Sequence, residues 1–225
     1  MLFAANNNLN QYTRYQGYPP LAQNISRLFS PKYLSLNRPI DPLKEIIVAE
    51  GSTSVISGII WPFFKKGDGI LVFDNVSPKR KFMFAQRGLN VKTVRTKEDG
   101  SFDLEQLKSE IDSNTRAVYL DNPSISVGEE IKADLLTGLA DIVKSHEDLY
   151  VISDESHSCN LSNPQGHVSF GSLEGMWQRT FSVFGTTGLL GTPGLKVGWL
   201  IADENHVKDL ATFMSYNFFS TSTTG

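Results

Sequence analysis

The chain has 225 residues, 40% of them hydrophobic, and a formal net charge of −3. That length buries one sizeable core and falls short of two domains of ordinary size. Lysines and arginines are scattered among the acids, which leaves no electrostatic footprint for nucleic acid or an anionic membrane, and no apolar run is long enough to cross a bilayer.

Met1 to Asn8 has neither the basic flank and apolar stretch of a secretory signal nor the arginines of a transit peptide. Leu21 to Tyr33 then carries a helical period, and Glu45 to Ala49 reads as a strand. A helix over Ser54 to Lys65 follows, then a strand over Gly69 to Phe73, with Gly67-Asp68-Gly69 as turn punctuation between them. Arg80 to Arg87 is helical and Val91 to Val94 extended; Glu98-Asp99-Gly100 marks the next turn. Asp103 is placed to cap a helix over Leu104 to Ile111. Ala117 to Leu120 is a strand, Ile131 to Ser145 a helix, and Leu149 to Ser153, Thr180 to Phe184 and Leu195 to Ile201 are strands, with a last helix over Glu204 to Phe213. The strands are mostly continuous apolar runs, the pattern of burial on both faces. Their alternation with helices predicts a three-layer α/β/α fold with a mostly parallel sheet of about seven strands.

In such sheets the working groups sit on loops at the carboxyl ends of strands. That rule singles out Gly51 to Thr53, Asp121 to Gly128, Asp154 to Cys159 and Gly185 to Lys196. Gly51-Ser52-Thr53 opens a helix after a strand, which suits backbone N–H donation to a phosphate, although a glycine turn with a hydroxyl cap explains the same residues. Asp154 leaves a buried strand, where a carboxylate meets a cationic ring nitrogen or simply caps a turn. His157, Cys159 and His167 lack a zinc spacing and a fourth ligand. Asp154, His157 and Ser158 lie too close in sequence for a hydrolase triad, and no G-x-S-x-G elbow is present. The single cysteine, Cys159, excludes an internal disulfide and fits a reducing, intracellular compartment, cytoplasmic or mitochondrial. Asn24-Ile25-Ser26 and Asn160-Leu161-Ser162 match glycosylation acceptors only in a secreted chain.

The order of motifs resembles the class I/II aminotransferases, most closely the kynurenine and glutamine transaminase type. Asn10-Gln11-Tyr12-Thr13-Arg14 with Gly17-Tyr18-Pro19 matches that family's N-Q-Y-x-R-x-x-G-x-P. Gly51-Ser52-Thr53 falls at its phosphate loop and Pro123 to Gly128 at P-x-N-P-x-G. Ser153 to His157 follows S-D-E-x-Y, Gly175 to Thr180 follows G-M-W-x-R-T, and Gly185 to Trp199 lies on S-x-S-K-x-F-x-x-x-G-x-R-x-G-[YW].

The resemblance implies a pyridoxal phosphate (PLP) site with Asp154 on the ring nitrogen, Lys196 on the phosphate, and Tyr12 reaching the phosphate of a neighbouring subunit, hence a dimer. It implies further that residues 1–18 lie near the cofactor and dimer interface, that 19–225 form the large cofactor-binding domain, and that the family's small C-terminal domain has no counterpart after Gly225.

Several positions depart from the family pattern. Ile125 stands at the asparagine that bonds the ring hydroxyl and Gly185 at a phosphate-binding serine, while His157 stands at the tyrosine, where its imidazole N–H still suits donation to the ring oxygen as a remnant cofactor contact. Asp74 to Pro78 offers no aromatic to stack on the ring. Gly188 stands at the Schiff-base lysine, and no lysine occurs between Lys144 and Lys196. Loss of that lysine removes both covalent anchorage and the general base.

The leading expectation is therefore an aminotransferase-like protein without transaminase activity, serving as a structural or regulatory subunit of a self-dimer or larger assembly. One alternative is an active PLP-dependent aminotransferase or lyase of amino acids. Another is a module holding PLP or another phosphorylated ligand noncovalently through Gly51, Ser52, Thr53 and Lys196. PLP, where it binds, is expected without a covalent link, and a site without cofactor is the equal expectation.

Overall fold

The computed structural model describes residues 6–7, 11–160 and 166–217. Seven strands, β1 (Ile46–Ala49), β2 (Gly69–Phe73), β3 (Asn90–Val94), β4 (Thr115–Asp121), β5 (Tyr150–Asp154), β6 (Thr180–Gly185) and β7 (Gly198–Ile201), form one sheet in the order β1-β7-β6-β5-β4-β2-β3. β7 is antiparallel to β1 and β6, and the remaining pairings are parallel. The described helices are α1 (Pro19–Phe29), α2 (Gly51–Phe63), α3 (Pro78–Gln86), α4 (Leu104–Ser109), α5 (Ala133–Lys144), α6 (Thr186–Leu190) and α7 (Glu204–Asn217).

The expected elements are present, with instructive differences. β7 starts at Gly198 rather than Leu195, because Pro193–Leu195 form a 3-10 turn and Lys196 is left-handed at φ 54°. β3 pairs on one side only; Asn90 and Thr93 are exposed, Val91 and Lys92 half-buried, and only Val94 is buried. α6 escapes the periodicity argument because it is five residues long and contains a glycine. Asp103 does cap α4, its carboxylate accepting from the N–H groups of Glu105 and Gln106.

Register places Tyr119, Asp121, Ile152, Asp154, Phe181 and Val183 on one face of the sheet. Phe63 of α2 packs on Phe181 at 4.8 Å between ring centroids and Phe84 of α3 on Tyr119 at 5.3 Å, so these helices cover that face. On the opposite face Phe29 of α1 meets Phe184 at 4.5 Å, and Phe102, just ahead of α4, meets Phe73 at 4.5 Å. The three layers share a core in which Ile47, Val72, Val118, Ile152, Val183 and Leu200 are wholly buried, each worth roughly 1.5–3 kcal/mol relative to exposure. No helix of the described residues is long and apolar enough to cross a membrane.

Candidate functional site

Topology gathers the singled-out residues at one edge. β1, β4, β5 and β6 run in the same direction, so Gly51, Asp121, Asp154 and Gly185 emerge together at their carboxyl ends. β7 runs the other way, which brings Lys196, just ahead of its amino end, to the same edge.

Glycines let the backbones close in. Gly51 has φ +81° and lies against the Lys196 backbone; a Cβ there would stand 3.9 Å from the Lys196 carbonyl. A Cβ on Gly198 would stand 2.5 Å from Ser52 N, so β7 and the start of α2 touch through backbone alone. No side chain caps the first turn of α2. Its N–H groups therefore keep donor capacity for an anion at the end of a 13-residue helix whose one proline, Pro62, lies in the last turn. Thr186 is buried and bound to the Val197 carbonyl through both its N–H and its hydroxyl, whereas the Lys196 side chain and Thr53 are exposed.

At the other end of the site, Asp154 is 5% exposed and surrounded by donors. Its Oδ1 accepts from Ser156 Oγ at 2.6 Å and Ser156 N at 3.3 Å. Its Oδ2 accepts from Tyr119 Oη at 3.0 Å and Arg80 Nη2 at 2.9 Å. Arg80 Nε also donates to Tyr119 Oη at 3.1 Å. Asp121 is the register partner of Asp154 across β4 and β5. Burial, with the Asp154 charge next, pushes the Asp121 carboxyl up to about 7.

Gly188 lies in α6 against the turn that follows Asp154. A Cβ at Gly188 would be 3.0 Å from His157 Cα and would overlap the Ser156 carbonyl oxygen outright. His157 is half-buried, its Nδ1 3.4 Å from Asn160 Nδ2. Ile125 is 62% exposed, and its backbone N–H bonds the Asp121 carboxyl. Tyr12 is 79% exposed on this chain. Asn10 and the stretch Leu161 to Ser162 lie outside the described residues. Among the described residues, no group of three or more His, Cys, Asp or Glu side chains is placed to hold a metal.

The structure thus brings Gly51, Ser52 and Lys196 together, and sets Asp154, Ser156, His157 and Gly188 together beyond Gly185, whose missing Cβ would touch Ser52 and Ser156 at 3.8 and 3.7 Å. Sequence reasoning missed Arg80 and Tyr119, and gave no role to Asp121 or Ser156 although both lie in the loops it singled out. The available cue was the pair of strand-end aspartates, which need a cation or a shared proton when adjacent strands bury both.

The sequence profile described as aminotransferase class I and II matches residues 2–225. The chain belongs to this family. Among curated proteins it is 30% identical to kynurenine–oxoglutarate transaminase 3 of Mus musculus over 96% of this chain and 49% of the relative, and 27% identical to kynurenine–oxoglutarate transaminase 1 of Homo sapiens over 94% and 52%. An aromatic aminotransferase from Pyrococcus horikoshii superposes with a TM-score of 0.90 at 25% identity, covering 99% of this chain and 59% of that one. A methionine aminotransferase from Escherichia coli does so with a TM-score of 0.90 at 22% identity, over 99% and 57%. The chain spans about half the length of the curated relatives it matches.

The family is PLP-dependent, and at the positions that resemblance assigns to its phosphate and its ring, the residues present would suit the group at one end only. The phosphate end offers the uncapped start of α2 beside Lys196. The ring end does not fit: the Asp154 carboxylate is already bound by Arg80, Tyr119 and Ser156, and the exposed Ile125 presents an apolar side chain.

Proposed function

We propose that this aminotransferase-family chain does not run a transaminase cycle and acts as a structural or regulatory subunit, in a dimer of itself or a larger intracellular assembly. The observation that carries the reading is the contact at Gly188, the position that resemblance aligns with the Schiff-base lysine. No side chain is tolerated there unless the backbone of Ser156 and His157 moves. With no lysine between Lys144 and Lys196, no neighbouring residue takes over by a change of register. The fold supports the subunit reading, because a sheet with covered faces keeps its shape without catalysis. Tyr12 is the residue through which resemblance implies contact with a second copy.

The test is intact-mass spectrometry of the purified chain after incubation with PLP and borohydride. The expected result is an unchanged mass together with no amino-acid-dependent consumption of a 2-oxo acid. A stoichiometric pyridoxyl adduct on one lysine overturns the reading. A second reading, noncovalent retention of a phosphorylated ligand, is favoured by the uncapped start of α2 against Lys196. Calorimetric titration with inorganic phosphate decides it: saturable binding weakened by Lys196→Ala supports retention, and none leaves the structural role alone.

A further inference from the structure

We propose that Arg80 is a built-in counter-ion for Asp154, standing where a protonated ring nitrogen has to stand, so that the ring end of this pocket rejects cationic heterocycles. The inference rests on the reading above and adds to it the residue that sets ligand specificity.

A carboxylate offers about four lone-pair positions to donors. Asp154 uses all of them: Ser156 N and Oγ on Oδ1, Tyr119 Oη and Arg80 Nη2 on Oδ2. A further N–H finds no acceptor unless one of these leaves. Arg80 is the only cation of the set, and it is not a mobile surface residue. Its side chain is 14% exposed, its Nε is tied to Tyr119 Oη, and its guanidinium carbon lies 5.8 Å from the centroid of the Tyr119 ring. Its backbone is fixed as well, because Ser77 caps α3 by accepting from Arg80 N at 3.4 Å.

Charge balance points the same way. A guanidinium stays protonated at any pH the fold survives, so Asp154 is permanently matched. Asp121 beside it, its carboxyl pushed up to about 7 by burial and the Asp154 charge, holds a proton below that pH and there calls for no second cation. A pyridinium placed against Oδ2 would meet Arg80 as a like charge in a buried setting, where screening is weak. Chemistry that depends on a cationic ring as electron sink is thereby blocked at its anchor, independently of Gly188.

Two measurements test the assignment. In wild-type protein labelled with 15N-arginine, the Arg80 Nε–H signal is expected to be slow-exchanging and unmoved by PLP, with PLP binding no tighter than inorganic phosphate within about threefold and pyridoxal not binding. In Arg80→Gln, checked by circular dichroism, the ring anchor opens, and PLP affinity is expected to rise about tenfold or more while phosphate affinity stays level. A wild-type Arg80 signal that shifts on saturation with PLP overturns the proposal, as does a folded Arg80→Gln that still ignores the ring. If Arg80→Gln does not fold, the wild-type spectra decide alone. Covalent fixation of PLP by borohydride would sink the loss of transamination instead, while reversible PLP binding that displaces Arg80 would sink only this assignment.

Discussion

Asp154 and Glu155 are adjacent in sequence, both buried, and turned to opposite faces of the sheet edge, where each meets a different kind of cation. Asp154 faces α3 and holds Arg80, with Tyr119 and Ser156 completing its shell. Glu155 faces the α1 side, where its Oε2 is 3.0 Å from His167 Nε2, while His167 Nδ1 is 2.5 Å from Glu130 Oε1. Both ring nitrogens of His167 thus meet acceptors, which makes it an imidazolium donating at both ends. Glu155 Oε1 also lies 2.9 Å from Ser169 Oγ, which is 2.8 Å from Tyr33 Oη. A hydroxyl carries one proton and a carboxylate only accepts, so Ser169 donates to Glu155 and Tyr33 donates to Ser169. Burial, with the Glu155 charge next, raises the Tyr33 phenol well above its ordinary value and keeps it a donor. The lesson is that one strand end carries two ion pairs of different character: a permanent one on the candidate-site face and a titratable one behind it.

The largest effect should come from breaking the rear pair. His167→Leu leaves the fully buried Glu155 carboxylate with Ser169 alone, an uncompensated charge expected to cost ~3–5 kcal/mol. Arg80→Leu leaves Asp154 three donors, from Tyr119 and Ser156, and should cost ~2 kcal/mol. Denaturant unfolding at pH 6 measures both. Equal costs, or the reverse order, would mean that the two pairs are not distinguished by the hydrogen bonds around them.

The sequence makes the frame of this comparison legible and hides its contents. Continuous apolar runs such as Val151-Ile152 reveal the central strands because burial on both faces leaves no room for alternation. The edge strand β3 is harder, since its pattern is set by a neighbour on one side only. The strand-end rule led to the loops that hold Gly51, Asp154 and Lys196, and resemblance alone picked out Gly188 within them. Arg80 could not be found that way: it lies 74 residues from Asp154, and nothing local in Pro78-Lys79-Arg80 marks its destination. His167 read as a candidate metal ligand of the wrong spacing because its carboxylate partners, Glu130 and Glu155, converge only when the loops fold back.

The next test separates the pairs by pH. Burial alone would lower the His167 pKa, but its bonds and charge interactions with Glu155 and Glu130 more than offset this, so its folded pKa is raised. Its stabilisation is therefore complete below the unfolded value near 6.5 and lost as pH rises through the higher folded value. Arg80 has no such transition. Asp121 adds a second slope of the same sign: raised from 3.8 to about 7, its protonated form favours the fold below pH 4, and that advantage fades as pH rises through 7. The shift sets a ceiling of about 4 kcal/mol, and roughly 2 kcal/mol is the working expectation because Asp121 keeps some solvent contact. Unfolding free energy should decline from pH 5 to pH 9. Asp121→Asn should flatten the part below pH 7 and His167→Gln the part above it. A wild-type profile level across that range would contradict both assignments.

The smallest contrast lies between the two tyrosines. Tyr119 Oη serves two ionic partners, donating to Asp154 and accepting from Arg80 Nε, so Tyr119→Phe removes two charge-assisted bonds and should cost ~2 kcal/mol. Tyr33 Oη meets neutral hydroxyls, those of Ser169 and Ser182, and Tyr33→Phe should cost ~1 kcal/mol or less. Neither substitution changes ring packing: Phe keeps the contact of residue 119 with Phe84 and of residue 33 with Trp177. The difference therefore reports the hydroxyls alone. In the Arg80→Leu background the cost of Tyr119→Phe should fall, because half of what that hydroxyl binds has gone, while the cost of Tyr33→Phe should be unchanged. If Tyr119→Phe instead costs the same with and without Arg80, the guanidinium is not held in the shell of Asp154, and the contrast between a permanent and a titratable pair loses its permanent half.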